Sequence, residues 1–324
     1  MACMAEGKRG VMGSFQFKSS LARSGSTFLA AILRKLSKPD DHHAMSCLAE
    51  GERSMRGSLH FISGLPRSGS TLLAALLRQN PRFEAGMTGP LAGLFGALVG
   101  QMSARNEYSV FIDDVRREQI LRGLFDSFYA DCQAEVIFDT SRGWCAWMPA
   151  IARLFPDSKV IVCVRDISWI VDSIEQLVQR NVFSPSSIFG YTPGGTVYTR
   201  TNTVVAPDGL VGAPFDALKQ ACYGAQRDQL LLVQYETLTA DPAATLRAIY
   251  DFLGEPLFTH DFANVTYDVA EFDDRAGTPG LHTLRGMVKA EPRETLLPPD
   301  LFQRFARDAF WRDPARIPEG LRIV

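Results

Sequence analysis

Apolar and polar positions alternate between two periods along this chain. Short unbroken apolar runs, Leu59–Ile62, Val136–Phe138, Val160–Val164 and Leu230–Val233, read as buried strands. Between them lie segments of helical period. Ser70–Arg78 has an apolar face and stops at Asn80-Pro81, and Ile167, Ile170, Val171, Ile174 and Leu177 recur at helical spacing. Asp241-Pro242 opens a helix that runs through Leu253 to a capping Gly254. Further helices are expected near 86–104, 113–131 and 146–154, with a terminal one over 298–313 whose Phe302, Phe305, Phe310 and Trp311 face the core. Residues 182–214 are rich in Gly, Pro, Ser and Thr and read as a long functional loop. Strands alternating with helices predict an α/β fold of three layers, P-loop-like, with a central mostly parallel sheet flanked by helices.

The first strand leads into Gly64-Leu65-Pro66-Arg67-Ser68-Gly69-Ser70-Thr71 and then directly into a helix. Strand, Gly-rich loop and helix aim loop N–H groups and a helix N-terminus at one anion. The spacing is that of a nucleotide P-loop except that Ser70 stands where Lys would reach a γ-phosphate, and the positive charge has moved to Arg67. A donor shorter than a triphosphate fits such a loop better. A second charge closes another strand: Val160–Val164 ends at Arg165-Asp166, and Ser173 follows Arg165 by eight residues, within the next helix. A third strand ends at Tyr235-Glu236, before Asp241-Pro242.

These motifs resemble those of sulfotransferases that use 3′-phosphoadenosine 5′-phosphosulfate (PAPS), in the branch of bacterial and tyrosylprotein sulfotransferases. The resemblance runs from about Ser58 to the C-terminus. It implies that Gly64, Pro66, Arg67, Ser68, Gly69, Ser70 and Thr71 hold the 5′-phosphosulfate. Arg165 and Ser173 would hold the 3′-phosphate, with Tyr235 either beside the donor or in the core. Thr278, His282 and Arg285 fall where the family has a late loop over the adenosine. The implied reaction moves a sulfuryl group from PAPS to a hydroxyl of a small molecule or peptide, phenolic or peptidyl tyrosine among them, releasing 3′,5′-PAP. The alternatives are a small-metabolite kinase using ATP and a non-catalytic PAP-binding protein.

Two departures bear on the proton. The tyrosylprotein enzymes carry a Glu about 21 residues after the loop Arg, where this chain reads Met87-Thr88-Gly89. Many relatives have Asp-Lys after the second strand, where this chain reads Asp139-Thr140-Ser141-Arg142. The catalytic candidates are therefore Arg67, Asp139 as base and Arg142 as displaced cation. Asp139 could equally cap the following turn, and Glu84 is the reserve base. The apolar 86–104 segment and the 182–214 loop, with Tyr191 and Tyr198, would hold the acceptor and favour a phenolic or lipid-like group over an anionic glycan.

Composition narrows the rest. The 324 residues carry a net charge of −2, which leaves no general basic field for nucleic acid. Six cysteines without metal spacing read as free thiols and no metal site. The apolar runs fall short of the roughly 20 residues a membrane helix needs, and Lys8-Arg9 precedes no apolar signal core, so a cytoplasmic protein is expected. Finally, residues 13–34 repeat residues 57–78 at an offset of 44, with 15 of 22 positions identical. Ser20, Ala22 and Lys18 spoil the first copy's loop and strand. Residues 1–57 are thus expected to be an extension holding a degenerate duplicate, and 58–324 the sulfotransferase domain.

Overall fold

Six short runs lie side by side as parallel strands in the computed structural model, which describes residues 55–183, 186–190, 194–290 and 292–324. They are β1 (Ser58–Gly64), β2 (Phe83–Ala85), β3 (Val136–Thr140), β4 (Val160–Val164), β5 (Leu230–Gln234) and, beyond a small antiparallel pair β6 (Val265–Tyr267) and β7 (Leu284–Gly286), β8 (Arg322–Ile323). The sheet order is β2-β3-β1-β4-β5-β8. Strand β1 is hydrogen-bonded to β3 on one side and β4 on the other. Chain direction therefore changes sides at β1, and ligands of open α/β sheets bind at such a point beyond the strands' carboxyl ends.

Alternation along each strand divides the core in two. Phe61, Val160, Val162, Val164, Leu230 and Leu232 face one way. Ile62, Val136, Phe138, Ile161, Cys163, Leu231 and Val233 face the other. Both faces are covered, which is why these strands read as continuous apolar runs. On the second face lie α1 (Ser70–Leu77) and, later in the chain, Pro242–Leu253. On the first lie α2 (Leu91–Gln101), α3 (Asp114–Phe128), α4 (Met148–Leu154) and α5 (Ile167–Arg180). The fold is α/β, with a central parallel sheet flanked by helices. The described elements belong to one compact unit, Arg53–Val324. The duplicated copy at 13–34 and Tyr191 lie outside the described residues. Among the described residues no helix is long and apolar enough to cross a membrane, and no group of metal-ligating side chains forms.

Two segments differ from expectation. The 182–214 stretch contains a helix, α6 (Val197–Val205), and the start of α7 (Gly212–Tyr223). Thr196 caps α6 by accepting from the Thr199 N–H at 3.2 Å, a start signal hidden among β-branched residues of low helix propensity. The remaining helices are α8 (Tyr235–Ala240), α9 (Pro242–Leu253), α10 (Ala270–Arg275) and α11 (Pro299–Arg304). The terminal helix is α11 alone, and Phe310 and Trp311 sit in a separate 3₁₀ turn. At roughly 100° per residue, Trp311 would lie about 180° from Phe302 on a straight helix. Breaking the helix lets Phe305, Phe310 and Trp311 all be buried.

Candidate active site

The loop after β1 departs where only glycine fits. Gly64 has φ of +117°, and a Cβ on it would lie 2.1 Å from the Cys163 carbonyl oxygen of β4. Leu65 N–H donates to that same oxygen at 3.0 Å. The Ser68 hydroxyl lies 2.5 Å from the Leu65 carbonyl and 2.9 Å from the Cys163 carbonyl. Ser68 therefore braces the loop from beneath, and its hydroxyl is not turned toward a ligand. Gly69, at φ +94°, opens α1, and a Cβ there would come within 2.8 Å of the Tyr235 ring. No side chain caps α1 and no acidic residue lies in its first turn. Its leading N–H groups, with the Ser70 and Thr71 hydroxyls, remain available to an anion. Arg67 is the one non-glycine with positive φ among the described residues, at 57°. Backbone strain of this kind clusters at ligand clamps.

The strand ends bring the second motif to the first. Arg67 donates from Nε to Ser173 Oγ at 3.1 Å and from Nη1 to the Leu281 carbonyl at 2.8 Å. Arg165, only 7% exposed, lies with its guanidinium carbon 4.1 Å from the Tyr235 ring centroid. Its Nη1 reaches the Arg67 carbonyl at 3.4 Å, while its buried Nε has no hydrogen bond and sits 3.8 Å from Glu236. Arg293 completes the cluster, paired with the fully buried Asp172 at 2.6 Å. Burial, then the neighbouring Arg165, pulls the Arg67 guanidinium down to about 10. Burial also lowers Arg165, and Arg293 acts on it in the same direction. Converging guanidinium groups that destabilise one another are a site built for an anion of more than one charge.

These groups line a cavity of about 390 Å³, together with Pro66, Ser70, Thr71, Thr88, Arg142 and His282. A second cavity of about 480 Å³ shares Arg142, Ile188, Phe189 and Leu210 with it and extends to Thr203, Asp208 and Pro214. Arg142 stands at the junction, half-buried and without an ion pair among the described residues, and burial lowers its pKa.

Several sequence candidates lie elsewhere. Asp139 is buried outside the lining of either cavity and accepts from Trp144 Nε1 and the Tyr129 hydroxyl, both at 2.7 Å. Burial raises its pKa despite those two bonds. With both oxygens held and no place in the cavity wall, Asp139 is a structural carboxylate. Glu84 is exposed on β2. Thr278 is fully buried and does not line the cavity. Arg285 is exposed on β7, paired with Asp268 at 3.0 Å and outside the cavity. The cation contributed by this late region is Arg293, which carries no motif. Only the fold of the C-terminal segment onto Asp172 brings it in, through Thr295 Oγ1 at 2.9 Å and Leu296 N–H at 2.8 Å.

Among solved structures, the chain resembles the sulfotransferase domain from the curacin biosynthetic pathway, at 17% identity and a TM-score of 0.43, over 63% of this chain and 76% of that one. It also resembles a sulfotransferase from Alicyclobacillus acidocaldarius, at 17% identity and a TM-score of 0.43, over 81% and 94%. No curated protein matches significantly. A model of the sulfotransferase family matches residues 60–260, well over half of the chain, and the protein belongs to that family.

Proposed function

We propose that this protein transfers a sulfuryl group from PAPS to a hydroxyl acceptor and releases PAP. The observation that carries the reading is the bond from Arg67 to Ser173, beside Arg165. It joins the phosphosulfate loop to the second motif across one cavity, so a ligand with two separated phosphates meets both. The residues suit that donor in three respects. The loop lacks the lysine a triphosphate needs. Arg165 keeps a buried Nε without a hydrogen bond. The cavity volume falls within the usual 300–1,000 Å³ of ligand sites. In this reading Arg67, the α1 N-terminus, Ser70 and Thr71 neutralise the leaving 5′-phosphate, and Arg165 and Ser173 hold the 3′ end. Gly64 and Ser68 shape the loop, and Tyr235 supports Arg165 by cation–π contact.

Transfer of this kind depends on in-line positioning and charge stabilisation. Arg142, at the junction of the two cavities, stands where charge develops between donor and acceptor. The acceptor would occupy the second cavity, against Ile188, Phe189, Leu210 and Pro214. Those apolar side chains, beside the polar Arg142, Thr203 and Asp208 of the same wall, support a phenolic or other apolar hydroxyl on a small molecule or a peptide. The test is a thermal-shift comparison of PAP, ATP and ADP, followed by ³⁴S-labelled PAPS with a cell extract and mass spectrometry. Ligand at 100 times Kd adds about 2.7 kcal/mol of stability. Stabilisation by PAP and a labelled apolar product are expected. Stabilisation by ATP alone would favour the kinase reading, and a labelled acidic polysaccharide would overturn the acceptor.

A further inference from the structure

The two cavities differ in charge. The first is lined by Arg67, Arg142, Arg165, Arg180 and Arg293 and by no Asp or Glu. The second shares Arg142 with it and carries Asp208, the one carboxylate in either lining among the described residues. Arg142, Ile188, Phe189 and Leu210 line both cavities, whereas Thr203, Asp208 and Pro214 line the second alone. The cation of the second cavity thus stands on the side shared with the first. Its anion stands on the part that the first does not reach.

Asp208 sits on a turn that is fixed in place. The turn joins α6 to α7, and two backbone bonds close it. Gly209 N–H donates to the Ala206 carbonyl and Val211 N–H to the Val204 carbonyl, both at 2.7 Å. Gly209 and Gly212 press against the end of α6, where a Cβ would collide with the Thr203 and Ala206 carbonyl oxygens respectively. A carboxylate on such a turn costs little further entropy to hold against a ligand. Its oxygens are also uncommitted. Asp208 is exposed and makes no hydrogen bond or ion pair among the described residues. Thr203, its neighbour in the lining, gives its hydroxyl proton to the Thr199 carbonyl at 3.0 Å. The side-chain charges that the second cavity offers a ligand are therefore Arg142 and Asp208, separated by more than ion-pairing distance and set among apolar groups.

We propose that the acceptor carries a protonated amine besides its hydroxyl, and that Asp208 is the residue that selects it. The proposal rests on the sulfuryl-transfer reading and narrows its acceptor. A pocket with a cation on one side and an anion on another orients a ligand of matching polarity. The hydroxyl lies toward Arg142 and the first cavity, where negative charge gathers during transfer. The apolar body lies against Ile188, Phe189 and Leu210, and the ammonium meets Asp208. An acceptor with a carboxylate or sulfate in place of the amine meets a like charge there and is rejected. The product is a zwitterion, a sulfate ester on a molecule that keeps its ammonium.

The test uses the full chain and the variants Asp208→Ser and Asp208→Lys. Three phenols of similar size serve as acceptors with PAPS: 4-(2-aminoethyl)phenol, 4-propylphenol and 3-(4-hydroxyphenyl)propionate. The PAP-induced thermal shift is read first. Its absence in the wild type overturns the transfer reading and the proposal with it. Given the shift, kcat/KM is compared across the phenols. The wild type is expected to favour the ammonium phenol over the neutral one by roughly three- to tenfold, and to use the carboxylate least. Asp208→Ser should remove that preference, chiefly through the KM of the ammonium phenol, and Asp208→Lys should reverse the order of ammonium and carboxylate. A wild type that binds PAP but ranks the carboxylate level with the ammonium, or sulfates none of the three, overturns the proposal alone. So does a variant that loses the same factor on all three phenols, because that loss belongs to folding or to the transfer step. If neither variant folds, salt decides on the wild type. The preference for the ammonium phenol should shrink as ionic strength rises, and a preference that salt leaves unchanged refutes the role of Asp208.

Discussion

At the scale of single residues, placement in the fold separates chemistry from support. Arg165 and Ser68 are both buried polar residues in matching motifs. Ser68 spends its hydroxyl on backbone carbonyls, whereas Arg165 Nε makes no hydrogen bond and lies 3.8 Å from Glu236. Charge-assisted hydrogen bonds contribute about 1.5–3 kcal/mol each. Arg165→Ala should therefore weaken PAP binding at least about tenfold. Adenosine 5′-phosphosulfate, which lacks the 3′-phosphate, should lose far less in the same calorimetric titration. Equal losses would make Arg165 a structural partner of Tyr235. His60 gives a pH prediction of a different kind. Buried in β1, it accepts the Lys159 N–H on Nδ1 at 3.0 Å, and burial followed by Lys159 pulls it from 6.5 down to about 4. The unfolded chain then binds the extra proton between those values, so stability falls as pH drops from about 6.5 to about 4 and changes no further from this group below that. The shift corresponds to roughly 3 kcal/mol. Urea midpoints of wild type and His60→Gln should converge on acidification, because the variant lacks this loss. Parallel pH profiles would refute the assignment.

At the scale of elements, α6 is the piece hardest to foresee and the one that walls the second cavity. It is fastened to α5 by a buried pair. Arg200 donates from Nε to Glu175 Oε2 at 2.9 Å and from Nη2 to Oε1 at 2.5 Å. The side chains are 18% and 4% exposed. Removing one partner strands a buried charge, which costs about 3–5 kcal/mol, whereas removing both costs much less. Arg200→Met should therefore destabilise more than the double variant Glu175→Met/Arg200→Met, as read from urea unfolding. Equal stability of single and double variants would show that the pair does not fasten α6.

At the scale of the whole molecule, the loop after β1 is built around its own strand neighbours. Strand β1 is already paired on both sides, by β3 and β4. The copy at 13–34 has Ser20 where Gly64 stands. In that position any Cβ would collide with the Cys163 carbonyl. Deleting residues 1–54 is therefore expected to leave the PAP-induced thermal shift and turnover unchanged, and Arg23→Ala likewise. Loss of PAP binding in either would show that the duplicate takes part in the site.

Much of this architecture was legible from one dimension. Continuous apolar runs report burial on both sheet faces, so four strands and their parallel arrangement follow from pattern alone. The loop could be read because a phosphate cradle needs glycines, a charge and a helix start at fixed local spacing. Arg165 and Ser173 could be read because they are eight residues apart across one strand-helix junction. Where the contact is long-range, pattern carries no signal. Arg293 reaches the cavity only through Asp172, 121 residues earlier. Asp139 looked like a base because its position in the chain says nothing of Tyr129 and Trp144 folding onto its two oxygens. Arg285 looked like the late cation and Thr278 a ligand, because whether a loop residue points in or out is set by what packs on each side. His282 acquires its orientation from a buried Asp273 that no motif marks. The sequence determined which local units form and which anion chemistry they suit. Tertiary structure decided which distant side chains meet, because side-chain proximity between remote segments is a product of packing and not of spacing.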